Sequence, residues 1–210
     1  GQADILTAIR TVGKAALNYK EMTSPTEDGE IVTRLVFLSD SHIGETTTQA
    51  SQKLTAQLAK IKEWNQTTPV DAIVFPGDMT NLGINSEYQE LIRILTEAGL
   101  PDTIDLSFAQ GNHEFSVTVD SNGDKGSYTD KPSAESIALS FEIFNKYLSD
   151  VYHVNGEGES KYTVSEDGMD HSLRLEDGTY LIGLSMRGGG VTYGEKTEQF
   201  LLQEVAKAVA

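Results

Sequence analysis

Three times the chain runs a short apolar stretch into a cluster of chemically active polar residues. Leu35-Val36-Phe37-Leu38 leads into Asp40-Ser41-His42-Ile43-Gly44. Ala72-Ile73-Val74-Phe75 leads through Pro76 and Gly77 into Asp78, and Ile104–Ala109 leads into Gly111-Asn112-His113-Glu114. Four consecutive apolar residues predict a strand covered on both faces, the kind found in parallel sheets. Between the strands, Leu54, Leu58 and Ile61, then Tyr88, Leu91, Ile92 and Leu95, recur at helical spacing. Strand, helix, strand, helix, strand with short loops implies right-handed crossovers and a parallel sheet. Asp40, Asp78 and Asn112 are therefore expected at one edge of adjacent strands, where open α/β sheets place their ligands. Gly77 gives the second unit a sharp turn.

The flanking segments are less informative. Residues 1–30 read as an amphipathic helix, with Ile5, Ile9, Val12 and Ala16 on one face, followed by a polar linker over 23–30. Residues 31–210 read as the main domain. Residues 115–132 form a polar excursion in which Asp120-x-Asn122-x-Asp124 resembles the start of a calcium loop. Lys125 and Lys131 stand where that loop needs Gly and a bidentate Glu, so a surface loop near the site is the plainer reading. Ile137, Phe141, Phe144 and Leu148 predict a helix. Strands are expected at Val151–Val154, Tyr162–Val164, Leu173–Leu175 and Tyr180–Leu184, with Glu176-Asp177-Gly178-Thr179 as a hairpin turn. Gly188-Gly189-Gly190 lacks the Lys-Ser/Thr of a phosphate-binding loop and reads as a permissive turn. A last helix carries Leu201, Val205 and Ala208 on one face.

Composition narrows the chemistry. The chain has no cysteine, which removes disulfides, zinc-thiolate sites and thiol catalysis. Its net charge of −16 repels phosphate backbones, so no nucleic-acid partner is expected. No stretch approaches the roughly 18 apolar residues of a membrane span. The sequence is compatible with a cytoplasmic protein, or with a secreted or surface one whose leader has been removed.

Each polar residue has a plain alternative. His42 can be a strand-end histidine, Asp78 a helix cap and Asn112 a turn residue. That all three arise together and in order would require coincidence. Asp40-x-His42, Gly77-Asp78 and Gly111-Asn112-His113-Glu114, at spacings of 38 from Asp40 to Asp78 and 34 from Asp78 to Asn112, resemble the calcineurin-like metallophosphoesterase family. Gly44 and Asn81 also suit its pattern.

The resemblance implies an incomplete four-layer α-β-β-α sandwich: a parallel βαβαβ first half, then strand hairpins and a terminal helix. It implies a phosphoric ester hydrolase with two divalent or trivalent metal ions (manganese, iron or zinc) and an attacking metal-bound hydroxide. Two such ions about 3.5–4 Å apart clamp the attacking and leaving oxygens of a phosphoryl group. Asp40 and His42 would bind one ion, Asp78 would bridge, and Asn112 would bind the other. His113 would be the catalytic non-ligand histidine, Glu114 would orient it, and Asn81 would support the site from behind the ligands.

The family pattern continues with a strand-end histidine and a Gly-His-x-His motif. This sequence has only His153 and His171 after Glu114 and contains no Gly-His pair. The expectation is thus the N-terminal portion of a phosphoesterase domain: a truncated form, a proteolytic fragment or a paralogue with a defective site. Weak or absent hydrolysis, low metal occupancy and self-association through an unpaired sheet edge follow. The competing expectation is a non-catalytic binding or scaffold module derived from the same fold.

Overall fold

The computed structural model describes residues 31, 33–46, 48–152, 162–187 and 193–208. The expected N-terminal helix and linker, His153 and the Gly188–Gly190 turn lie outside them. The expected parallel unit is present. Strands β1 (Leu35–Phe37), β2 (Ala72–Phe75) and β3 (Asp105–Phe108) pair in parallel in the order β1-β2-β3. Helices α1 (Gln49–Asn65) and α2 (Asn85–Ala98) are the crossovers. Thr48 caps α1, its hydroxyl accepting from the Ser51 amide at 3.3 Å, and Gly99 ends α2 in the left-handed region at φ 53°.

The period-two alternation of a strand divides β2 between two cores. Ile73 and Phe75 point to the helical side and join Leu54, Leu58, Tyr88, Leu91 and Phe144. Phe75 stacks on its register partner Phe108, with centroids 4.7 Å apart. Ala72 faces the other way, against Leu173 and Leu175. Leu173 belongs to, and Leu175 directly follows, the middle strand of an antiparallel sheet of β6 (Tyr162–Val164), β7 (His171–Arg174) and β8 (Tyr180–Gly183). On β7, His171 reaches Ser107 of β3 at 2.8 Å, and the next residue, Ser172, bonds outward to Glu204. Glu204 lies on helix α5 (Glu195–Ala208), which covers the outer face. Helix, sheet, sheet, helix is the layering implied by the sequence resemblance.

Three local expectations change. Val151 and Tyr152 continue helix α4 (Ala134–Tyr152) and do not begin a strand, because the apolar stripe set by Ile137, Phe141, Phe144 and Leu148 carries the helix on. The polar excursion carries a hairpin of β4 (Val117–Val119) and β5 (Gly126–Tyr128), pinned by buried Val117. Its tip is closed by Asp120, whose carboxylate accepts the amides of Asn122 and Asp124 at 3.0 Å each. Finally, β1 is not covered on both faces. It is the outer strand of its sheet, the second sheet stops short of its C-terminal end, and Phe37 is 62% exposed.

Candidate metal centre

All three polar clusters leave their strands at the same end of the sheet. Backbone pairing continues past the strands: the Asp40 amide donates to the Gly77 carbonyl at 3.2 Å and the His42 amide to the Asp78 carbonyl at 3.0 Å. To point their side chains into one place, these loops adopt unusual backbone conformations. Asp40, His42 and Asp78 have φ values of 54°, 44° and 52°, and they are the non-glycine residues with positive φ among those described. Each such residue costs about 1–3 kcal/mol, a cost that concentrates where geometry serves function.

Close approach of the second and third loops depends on two glycines. A Cβ at Gly77, where φ is 136°, would stand 2.8 Å from the Gly111 Cα. A Cβ at Gly111 would lie 2.6 Å from the Asp78 nitrogen and would run into the Asp78 carboxylate. The Asp78 carboxylate instead accepts the His113 amide at 2.9 Å.

The result is a tight cluster of side chains able to hold a metal ion. One ligand atom each from His42, Asp78 and His113 lies within 4.8 Å of the others, at half-buried positions. The His42 and His113 rings meet edge to face with centroids 4.4 Å apart. Asp40 stands at the margin, its oxygen 4.0 Å from His42 Nε2, its side chain 65% exposed and bonded to the Ser39 hydroxyl. Asn112 opens the single-turn helix α3 (Asn112–Phe115), next to His113. Two imidazoles and a carboxylate, with a second carboxylate beside them, suit manganese, iron or zinc.

His113 Nδ1 lies 2.7 Å from the Asn81 carbonyl, so Nδ1 carries a proton there and Nε2 is the atom presented to the site. Asn81 thus acts through its main chain. Glu114, expected to orient His113, holds the backbone instead. Its carboxylate is fully buried and accepts four hydrogen bonds: from the Asp78 amide at 3.0 Å, the Thr80 amide at 2.8 Å, the Thr80 hydroxyl at 3.0 Å and the Gly111 amide at 2.9 Å. Burial pushes its pKa up, and the amide donors oppose that shift.

The second sheet buttresses the third loop. Ser185 Oγ accepts the Gln110 amide at 2.9 Å, and the Met186 amide donates back to the Gln110 carbonyl at 3.1 Å. Ser185 is itself fixed by Asp170, which is paired with Arg187. Thr80 and Ser185 carry no sequence signal for these roles, because each acts through a contact distant in the chain. His171 stays outside the ligand set; it is fully buried between the sheets, and burial lowers its pKa to about 4.

A comparison with curated proteins finds no match. The family profile described as calcineurin-like phosphoesterase matches residues 33–195, a span that includes every described strand of both layers and all three loops that carry the polar clusters. With the layering and the converging loops, that match means that the chain belongs to the calcineurin-like phosphoesterase family.

Proposed function

We propose that this chain carries the metal-binding strand ends of a phosphoric ester hydrolase. The convergence of His42, Asp78 and His113 within 4.8 Å carries the reading. In it, Asp40, His42 and Asp78 would hold one cation, and Asp78 and Asn112 would hold a second. Cations there would supply Lewis-acid stabilisation of the phosphoryl oxygens and lower the pKa of water. His113 keeps its Nδ1 proton on the Asn81 carbonyl and, as imidazolium, gives the Nε2 proton to the leaving oxygen. Glu114 keeps Asp78 and Gly111 in register, so the ligands need little rearrangement on binding.

One observation favours a second reading. Asp40 stays outside the cluster of His42, Asp78 and His113, its side chain 65% exposed and bonded to the Ser39 hydroxyl, as befits a binding module that keeps the fold without the chemistry. The outer edge of β1, with Phe37 exposed, also supports self-association by strand pairing.

The test is zinc or manganese titration together with bis-p-nitrophenyl phosphate turnover. Metal binding lost in Asp78→Asn, with turnover lost in parallel, supports the hydrolase. Metal binding without turnover supports the binding module, and no metal binding by the unaltered chain refutes the hydrolase. His113→Asn is expected to retain metal and lose turnover; loss of metal would make His113 a ligand.

A further inference from the structure

Tyr128 is a large aromatic side chain that is 54% exposed, and it stands next to the centre. Its ring centroid lies 5.2 Å from that of His113, with the planes tilted by 37°. The His113 ring is therefore in contact with both the His42 ring, at 4.4 Å, and the exposed Tyr128 ring, at 5.2 Å. The position of Tyr128 is fixed by backbone. Its cross-strand partner Val117 is fully buried, and the Thr129 amide donates to the Ser116 carbonyl at 2.8 Å, directly after α3. The ring is thus held at a set place relative to His113 and is not the end of a free loop.

We propose that Tyr128 forms an aromatic subsite, and that the ester bound at this centre carries a planar aromatic group. The inference rests on the phosphoester reading. There His113 delivers its proton to the leaving oxygen, so the leaving group lies on the His113 side of the phosphorus, within reach of the exposed Tyr128 ring beside His113. A flat apolar group gains from an exposed ring, whereas a polyanionic one gains little near a chain of net charge −16. An aromatic contact of this kind strengthens binding about three- to tenfold.

The test uses the zinc-loaded chain, with affinities and ring-proton shifts followed by NMR. Phenylphosphonate is compared with methylphosphonate, and adenosine 5′-monophosphate with ribose 5-phosphate. The aromatic member of at least one pair is expected to bind about three- to tenfold tighter and to shift the Tyr128 ring protons. That preference should fall to near one in Tyr128→Leu and persist in Tyr128→Phe. A preference confined to the first pair assigns an aryl group joined directly to phosphorus; one confined to the second assigns a base beyond a sugar. Binding of all four compounds with no aromatic preference overturns the subsite and leaves the phosphoester reading intact. Binding of none overturns both, and the preference of the unaltered chain is decisive even if Tyr128→Leu fails to fold.

Discussion

Replacing Glu114 by Gln is the sharpest test of how the centre is held. The carboxylate accepts through both oxygens: one takes the Thr80 amide and hydroxyl, the other the Asp78 and Gly111 amides. A glutamine keeps one oxygen and presents an amide NH2 where the other stood. In its better orientation it satisfies Thr80 and sets donors against donors at Asp78 and Gly111. Two buried amides then lose their acceptor, at about 1–3 kcal/mol each, so a total near 3–5 kcal/mol is expected. For a chain of this size that lowers the melting temperature by about 10–15 °C. The same amides hold Asp78 at φ 52° beside Gly111, so zinc affinity should fall about 10–100-fold, as when other supports of metal ligands are removed. Differential scanning calorimetry and competitive zinc titration read the two effects. Thr80→Val removes the hydroxyl that donates to Glu114 and accepts the Gly83 amide at 3.1 Å, but leaves the Asp78 and Gly111 amides paired, so it should cost stability while leaving zinc affinity nearly unchanged. A Glu114→Gln protein that melts within about 3 °C of the parent and binds zinc equally well would refute this account of Glu114.

Gly111→Ala places a methyl against the Asp78 carboxylate and backbone; metal binding should fall at least tenfold, read by the same titration, whereas Gly178→Ala, in open space at the β7–β8 turn, should leave it unchanged. Two buried groups should oppose each other in acid. Burial raises Glu87 from 4.5 to about 7, so its contribution to stability is present at low pH and lost as pH rises through 7. Burial lowers His171 from 6.5 to about 4, so its contribution is present above pH 6.5 and lost as pH falls through 4. Each is worth about 3 kcal/mol across its window. Melting curves from pH 4 to 8 should therefore show Glu87→Gln losing stability toward acid more steeply than the parent, and His171→Gln less steeply. Parallel curves for all three would show that neither side chain is buried as described.

The sequence by itself determined the parallel βαβαβ unit and the place of the reactive residues. Apolar runs of strand length, separated by helical periodicity, allow few arrangements, and chain direction puts Asp40, Asp78 and Asn112 at one edge. Local patterning likewise predicted the β7–β8 hairpin and the final helix. Contacts between residues far apart in the chain leave no such periodic trace. Only the tertiary structure decided that Glu114 clamps Asp78, Thr80 and Gly111, and that Asn81 holds His113 through its carbonyl. It alone set Ser185 against Gln110 and brought Tyr128 to His113. The apolar run at β1 shows the same limit: sequence predicts burial on two faces, but the reach of the neighbouring sheet decides which residues it covers, and Phe37 lies beyond it. Residue types and strand direction specify which groups meet, because they act locally. Their orientation depends on buried hydrogen bonds that form only once the layers have closed.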